Sequence, residues 1–354
     1  MPISKIILYF FSFLLTVTVL LPLVKKDFWV FRVFDYPRLQ KFVITAILIT
    51  AWLLFFRDSK LLLDWAIIVF LGLTFIHLFY VILPFTFLSK TMIDKVKAPN
   101  NETLKLLVAN VYQYNESHHK LLDLIEKKDP DIIFLLETDQ KWLDAVKNLR
   151  ETYPHYIEIP QENTYGLLFY SKLPLKKQQI NYLIDDGIPS IIADVIYNNQ
   201  TVRIYGLHPT PPVPQENKFS TERDAEILMV GKMAKEYKNP CLVMGDMNDV
   251  AWSYTTELFL KTSELMDPRR GRGMYSTFHA KKILLRWPLD HYFLSSHFRL
   301  VKMNVEKSID SDHFPISISV VIAHKDEADK MTADKEDKAL ANEKIAAGIN
   351  GEPL

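Results

Sequence analysis

Six apolar runs in this 354-residue chain carry at one end a side chain able to bind a cation, move a proton or hold a phosphate. The residues are Asn110, Glu137, His208, Asp246 with Asn248, Asp290, and Asp312 with His313. A cluster of carboxylate and amide oxygens is hard-cation chemistry, and Glu137 with Asp312 and Asn110 suits Mg²⁺, with Mn²⁺ as the alternative. Two histidines beside carboxylates suit cleavage of a phosphate ester, in which an anionic oxygen is stabilised while a water is activated. Taken alone, Gly245-Asp246-Met247-Asn248 reads equally well as a capped turn. Six such ends in one chain are not ordinary.

The elements that must position these groups alternate between strand and helix. Strands are predicted over 104–111, 131–136, 165–170, 190–197, 201–207, 241–244, 289–294 and 314–322, and helices over 117–128, 140–151, 221–237 and 254–262. The run 131–136 is almost wholly apolar, which implies burial on both faces before Glu137. Asn198-Asn199-Gln200 reads as a hairpin turn, so the sheets are mixed. The pattern predicts an α/β four-layer sandwich, two packed mixed sheets with helices outside. His208 is followed by a proline-dense loop, 209–214, stiff enough to hold the ring at small entropic cost. Asp249 and His291 adjoin these residues but point the other way by strand alternation. Cys241, the single cysteine, falls inside a core strand and reads as packing.

The motif series Val108-Ala109-Asn110, Leu135-Leu136-Glu137, Gly206-Leu207-His208, Gly245-Asp246-Met247-Asn248, Leu289-Asp290 and Ser311-Asp312-His313-Phe314-Pro315 resembles the endonuclease/exonuclease/phosphatase superfamily. The resemblance covers about 104–322 and is carried by a series in order. It implies Glu137 as principal metal ligand, with Asn110 and Asp312 completing or supporting the site. It further implies that Asp246 orients or deprotonates the attacking water and that Asn248 binds the phosphate. His313, held by Asp290, and His208 would stabilise the phosphorane or assist the leaving oxygen. The proline-rich loop and three preceding apolar runs resemble a membrane-attached branch of that family.

Those apolar runs, about 6–24, 39–57 and 65–88, read as three transmembrane helices within a region 1–94. Nineteen uncharged residues at about 1.5 Å each reach across a hydrocarbon core of roughly 30 Å. A polar linker, 95–103, then leads to the catalytic domain, 104–323, and a polar tail, 324–354, read as disordered or as a solvated helix. Lys25, Lys26, Arg32, Arg38 and Lys41 after the first run, with Lys90, Lys95 and Lys97 after the third, place the domain in the cytoplasm by charge. The aromatic segment 25–41 also reads as interfacial, its cations on lipid headgroups. The family branch implies the opposite side of the membrane.

The leading functional expectation is a Mg²⁺-dependent hydrolase of phosphate esters, phosphodiesterase or phosphatase, acting on a lipid or membrane-associated substrate. Residues 101–323 hold 26 Lys/Arg against 29 Asp/Glu, without the positive balance of a protein that tracks duplex phosphates. The alternative is a membrane-tethered endonuclease or exonuclease, for which Arg269, Arg270, Arg272, Lys281, Lys282 and Arg286 argue. A catalytically silent membrane scaffold is the third.

Overall fold

The computed structural model describes residues 2–57, 59, 61–99, 102–323 and 329–354. Parts of the stretch between the second and third apolar runs, of the 95–103 linker and of the start of the tail lie outside the described residues. The chain opens with α1 (Ile3–Leu20), the short α2 (Trp29–Val33), α3 (Arg38–Phe56) and α4 (Leu62–Ile82). Three helical stretches, Ile3–Leu23, Arg38–Phe56 and Leu62–Phe85, are long and apolar enough to cross a membrane. They pack through Leu15, Val19, Leu48, Trp52, Leu71 and Leu78 and leave side chains such as Phe13, Ile47 and Leu73 exposed outward.

The sandwich follows as β1 (Leu104–Asn110), α5 (His118–Lys128), β2 (Ile132–Leu136), α6 (Gln140–Val146), α7 (Leu149–Thr152), β3 (His155–Ile159), β4 (Leu167–Ser171), β5 (Leu175–Asn181), β6 (Ser190–Tyr197), β7 (Gln200–Leu207), α8 (Thr221–Glu236), β8 (Cys241–Asp246), α9 (Tyr254–Ser263), β9 (Asp290–Leu294), β10 (Phe298–Val305) and β11 (Ile316–Ile322). One sheet has the order β10-β11-β1-β2-β4-β3, the other β5-β6-β7-β8-β9. Strand alternation decides the layers. Leu106, Val108, Phe134 and Leu136 face Ile191, Ile204, Leu242 and Met244 between the sheets. Their neighbours Leu107, Ala109, Ile133 and Leu135 turn outward onto Leu121, Ile125, Trp142 and Val146 of α5 and α6. On the far side Tyr205, Leu207 and Val243 meet Ile227 and Leu228 of α8 and Phe259 of α9. The result is the helix–sheet–sheet–helix sandwich expected from the sequence.

Several local readings change. β3, β5 and β10 have no counterpart among the expected strands. β5 is an edge strand of mostly exposed polar residues, so it shows no alternation to read. The helix expected over 140–151 is broken at Lys147-Asn148 into α6 and α7. Ser117 precedes α5 without capping it, and its hydroxyl donates to Asp310 at 2.8 Å.

The tail departs most. Its helix, α10 (Lys335–Asn350), starts with a capping box between Asp334 and Asp337 and lies on α8 and α9, not in solvent. A Cβ on Gly348 would come within 2.2 Å of the Ala225 methyl, which measures how closely the two helices approach. Lys344 is 1% exposed, its ammonium 2.6 Å from Asp27 and 2.9 Å from Asp224. The last helix is thereby tied to the segment between the first two apolar helices.

Candidate active site

Strand register brings the six polar ends to one rim of the sandwich. β1 and β2 are parallel with Asn110 opposite Leu136, so Asn110 and Glu137 leave at the same edge. β7 and β8 are parallel with Leu207 opposite Gly245, which sets His208 near Asp246. β9 and β11 run antiparallel to their neighbours, so their first residues reach that rim. Asp290 pairs with Asp246 in the ladder, and Ile316, just after His313, pairs with Val108. Gly245 has φ +141°, and a Cβ there would lie 2.0 Å from the Leu207 carbonyl oxygen. Only glycine lets β8 deliver Asp246 in this position.

The side chains form one connected cluster. Asn110 Nδ2 donates to Glu137 Oε1 at 2.7 Å and to Asp246 Oδ2 at 3.1 Å, while its Oδ1 accepts the Tyr112 amide at 3.0 Å. Asn110 thus offers donors to both carboxylates and acts as a bracket between them. Asp246 Oδ1 accepts the Asn248 backbone N–H at 2.9 Å, and Asn248 Nδ2 donates to the Pro209 carbonyl at 2.9 Å. Glu137 and Asn248 both take positive φ, +59° and +48°, turning their side chains off the strand ends. His313 Nδ1 lies 2.8 Å from Asp290 Oδ2, leaving Nε2 3.5 Å from Asp246 Oδ2. His208 Nε2 is 4.0 Å from the same oxygen, with its ring against Tyr165.

Electrostatics separates the two histidines. Burial works against charge on His313, but Asp290 and Asp246 outweigh it and push its pKa up to about 10. For His208 burial dominates, and despite Asp246 it falls to about 4, so this ring is neutral at pH 7. Burial raises Glu137 to about 7 against the pull of the Asn110 amide. Asp246, Asp290 and His313 bring one ligand atom each to within 4.8 Å of one another, a group able to hold a metal ion. Glu137 and Asp312, which line a cavity together with His313, are hard oxygen donors of the kind a small divalent cation prefers.

That cavity, of about 510 Å³, has Glu137, Asn248, Asp312 and His313 on one side. Its other walls are apolar: Pro211, Pro212 and Val213 from the proline-rich loop, and Phe278, Leu285, Trp287 and Leu289. Val33, Phe34, Tyr36 and Pro37, between the first two long apolar helices, close it. The Tyr36 hydroxyl donates to the Asn248 carbonyl at 2.8 Å, and its ring meets Trp287 edge-on at 5.7 Å. The expectation that the cations of 25–41 bind headgroups is not met for three of them. Arg32 lies 3.4 Å from Asp27, Arg38 Nε donates to Asp35 at 3.0 Å, and Lys41 donates to the Thr18 and Phe34 carbonyls.

Behind the site, Arg223 Nη1 donates to the Asn248 carbonyl at 2.8 Å and lies 3.6 Å from Asp249. His291 bridges Arg269 Nη2 at 2.7 Å and the Asp249 carbonyl at 2.9 Å. Asp249 and His291 therefore sit in a buried layer that supports the rim. Arg223 and Tyr36 escaped the sequence reading. A signal existed for Arg223, which falls four and seven residues before Ile227 and Val230 on the inward stripe of α8. Nothing local marks Tyr36.

The basic cluster does not form one patch. Arg269 is fully buried and paired with Asp267 at 2.7 Å. Arg272 donates to the Pro268 and Ile93 carbonyls, and Arg286 donates to that of Ala280 at 2.9 Å.

The Endonuclease/Exonuclease/phosphatase family model matches residues 107–313, which take in every rim residue from Asn110 to His313. No curated protein matches the chain. Among solved structures, D. rerio TDP2 complexed with single-strand DNA product superposes with a TM-score of 0.52 at 16% identity, covering 62% of this chain and 98% of that one. Truncated Caenorhabditis elegans TDP2 gives 0.51 at 14% identity, with 62% and 98% covered. An endonuclease/exonuclease/phosphatase from Beutenbergia cavernae gives 0.50 at 14%, with 63% and 72% covered. These likenesses speak for the sandwich, and with the match over more than half of the sequence the chain belongs to the Endonuclease/Exonuclease/phosphatase family.

Proposed function

We propose that this protein is a membrane-anchored, Mg²⁺-dependent hydrolase of a phosphate ester carried by a lipid or other amphiphile. The supporting observation is that the cavity holding Glu137, Asn248, Asp312 and His313 is walled by Val33, Phe34, Tyr36 and Pro37. Three spans put the segment after the first and the chain after the third on one side of a bilayer. The contacts of Asp27 with Lys344 and of Tyr36 with Asn248 fit that arrangement.

Glu137 and Asp312 would hold the metal, with Asn110 orienting Glu137 and Asp246. When bound, the ion supplies a positive charge for the phosphoryl oxygens. His313 carries its own proton between Asp290 and Asp246, so that trio is satisfied as an ion network. Asp246 takes a proton from the attacking water as the new P–O bond forms. Protonated His313 gives one to the departing oxygen as the ester bond breaks, and the protons balance. The Asn248 amide, on the cavity wall, would hold the phosphate, and neutral His208 supports it from beside Asp246.

Full-length protein in lipid nanodiscs with Mg²⁺ should cleave a phosphate ester of a lipid in the same bilayer. Glu137→Gln and His313→Ala should each abolish turnover, and activity that survives both changes overturns the site. A nuclease is the second reading, since one structural neighbour, D. rerio TDP2, is complexed with a single-strand DNA product. The dispersal of Arg269, Arg272 and Arg286 argues against it here. Plasmid nicked faster than any lipid phosphate is cleaved would reverse that preference. Internal engagement of Arg32, Arg38 and Lys41 weakens the charge argument for a cytoplasmic domain, and a reporter fused after Leu354 reads the side directly.

A further inference from the structure

Residues 278–287 form a closed loop that no step above uses. Phe278 and Trp287 exchange backbone hydrogen bonds at its base, and the His279 and Leu285 amides donate within it, to Leu285 and Lys282 respectively. Its tip is ordered yet apolar: Ile283, Leu284 and Leu285 are 75%, 77% and 45% exposed. Among the described residues of 102–323 it is the only run of three consecutive exposed large apolar side chains. Such a patch on a folded loop signals a partner.

Two observations say which partner. The Leu284 carbonyl accepts from Gln40 Nε2 at 3.0 Å, and Gln40 lies in the first turn of Arg38–Phe56. That helix has 19 residues, about 28 Å, and needs its whole length to cross a hydrocarbon core, so its first turn sits at the membrane surface. Phe87 and Leu88, just past the end of the third apolar helix, are likewise 85% and 64% exposed. Lys281 and Lys282 immediately precede the tip, exposed, where anionic headgroups would lie.

We propose that the 280–286 loop inserts Ile283 and Leu284 into the anionic face of the bilayer that the three helices cross. The inference rests on the membrane reading of those helices. Its consequence is geometric: Leu285 and Trp287 belong both to this loop and to the cavity wall, and Phe278 packs on His313 at 4.9 Å. The loop makes a continuous apolar path from the bilayer to the reacting groups.

The test uses full-length protein in nanodiscs containing anionic lipid, with a fluorophore on Leu284→Cys or on Ile47→Cys. Cys241 is 1% exposed, so labelling is confined to the new cysteine. Ile47 lies mid-helix with 61% exposure and reports insertion of the span itself. Brominated lipids should quench the Leu284 label from about 5–10 Å below the headgroups and the Ile47 label from the bilayer centre. Ile283→Asp should release quenching at 284 without lowering the thermal midpoint. Quenching at 47 with none at 284 overturns loop insertion and leaves the spans intact. Absence of quenching at both positions overturns the membrane reading together with this inference.

Discussion

Replacing Lys344 by Met tests whether the tail helix is a working part of the fold. The Lys344 ammonium bridges Asp27 at 2.6 Å and Asp224 at 2.9 Å, and both carboxylates are fully buried. Arg32, Arg223 and Lys344 face Asp27, Asp224 and Asp249 in this interior, so the substitution leaves two cations for three anions. Removing one partner of a buried ion pair costs about 3–5 kcal/mol. The low end applies, because Arg223 still bonds Asp224 at 2.7 Å and Thr221 still donates to Asp27 at 2.8 Å. At about 2–4 °C per kcal/mol for a domain of this size, a loss of about 3 kcal/mol lowers the midpoint by about 6–12 °C. Thermal unfolding of the full chain in detergent measures this, with limited proteolysis showing whether α10 is released first. Asp27→Asn combined with Lys344→Met removes both charges and should recover most of the loss. An unchanged midpoint in the single variant, or a double variant no better than it, refutes the reasoning.

Tyr36→Phe removes one of two donors to the Asn248 carbonyl while Arg223 keeps the other, so kcat should fall about fivefold, the worth of one hydrogen bond. A changed thermal midpoint with kcat unaltered would contradict that role. Glu226 is buried, and burial with Asp185 nearby pushes its carboxyl up to about 8. Its folded form keeps a proton that the unfolded chain releases near pH 4, so this contribution is whole in acid and is lost as pH rises through 8. Glu226→Gln should therefore raise the midpoint at pH 8 and leave it unchanged at pH 4, and a gain independent of pH would refute this. Gly245→Ala places a Cβ 2.0 Å from the Leu207 carbonyl and should cost several kcal/mol, read by urea unfolding. Parent-like stability would show that β7 and β8 can separate.

The sequence by itself determined the sandwich and the rim. Strand ends are local events, and Asn110, Glu137, His208, Asp246, Asp290 and His313 are each announced by the apolar run they end or begin. The three long helices were equally legible, since a helix long and apolar enough to cross a membrane shows both properties in its sequence. Edge strands such as β5, polar on both faces, left no period to read. Tertiary structure alone decided what surrounds the rim. Tyr36 reaches Asn248 across 212 positions, and Lys344 reaches Asp27 across 317. Neither contact has a sequence period, because a polar side chain is buried wherever its partner waits and not at a fixed spacing. For the same reason Arg269, counted with a basic surface, is inside on Asp267, and a tail read as solvated closes the molecule. The polar strand ends were written along the chain, while the apolar wall that faces them was assembled from segments the chain keeps far apart.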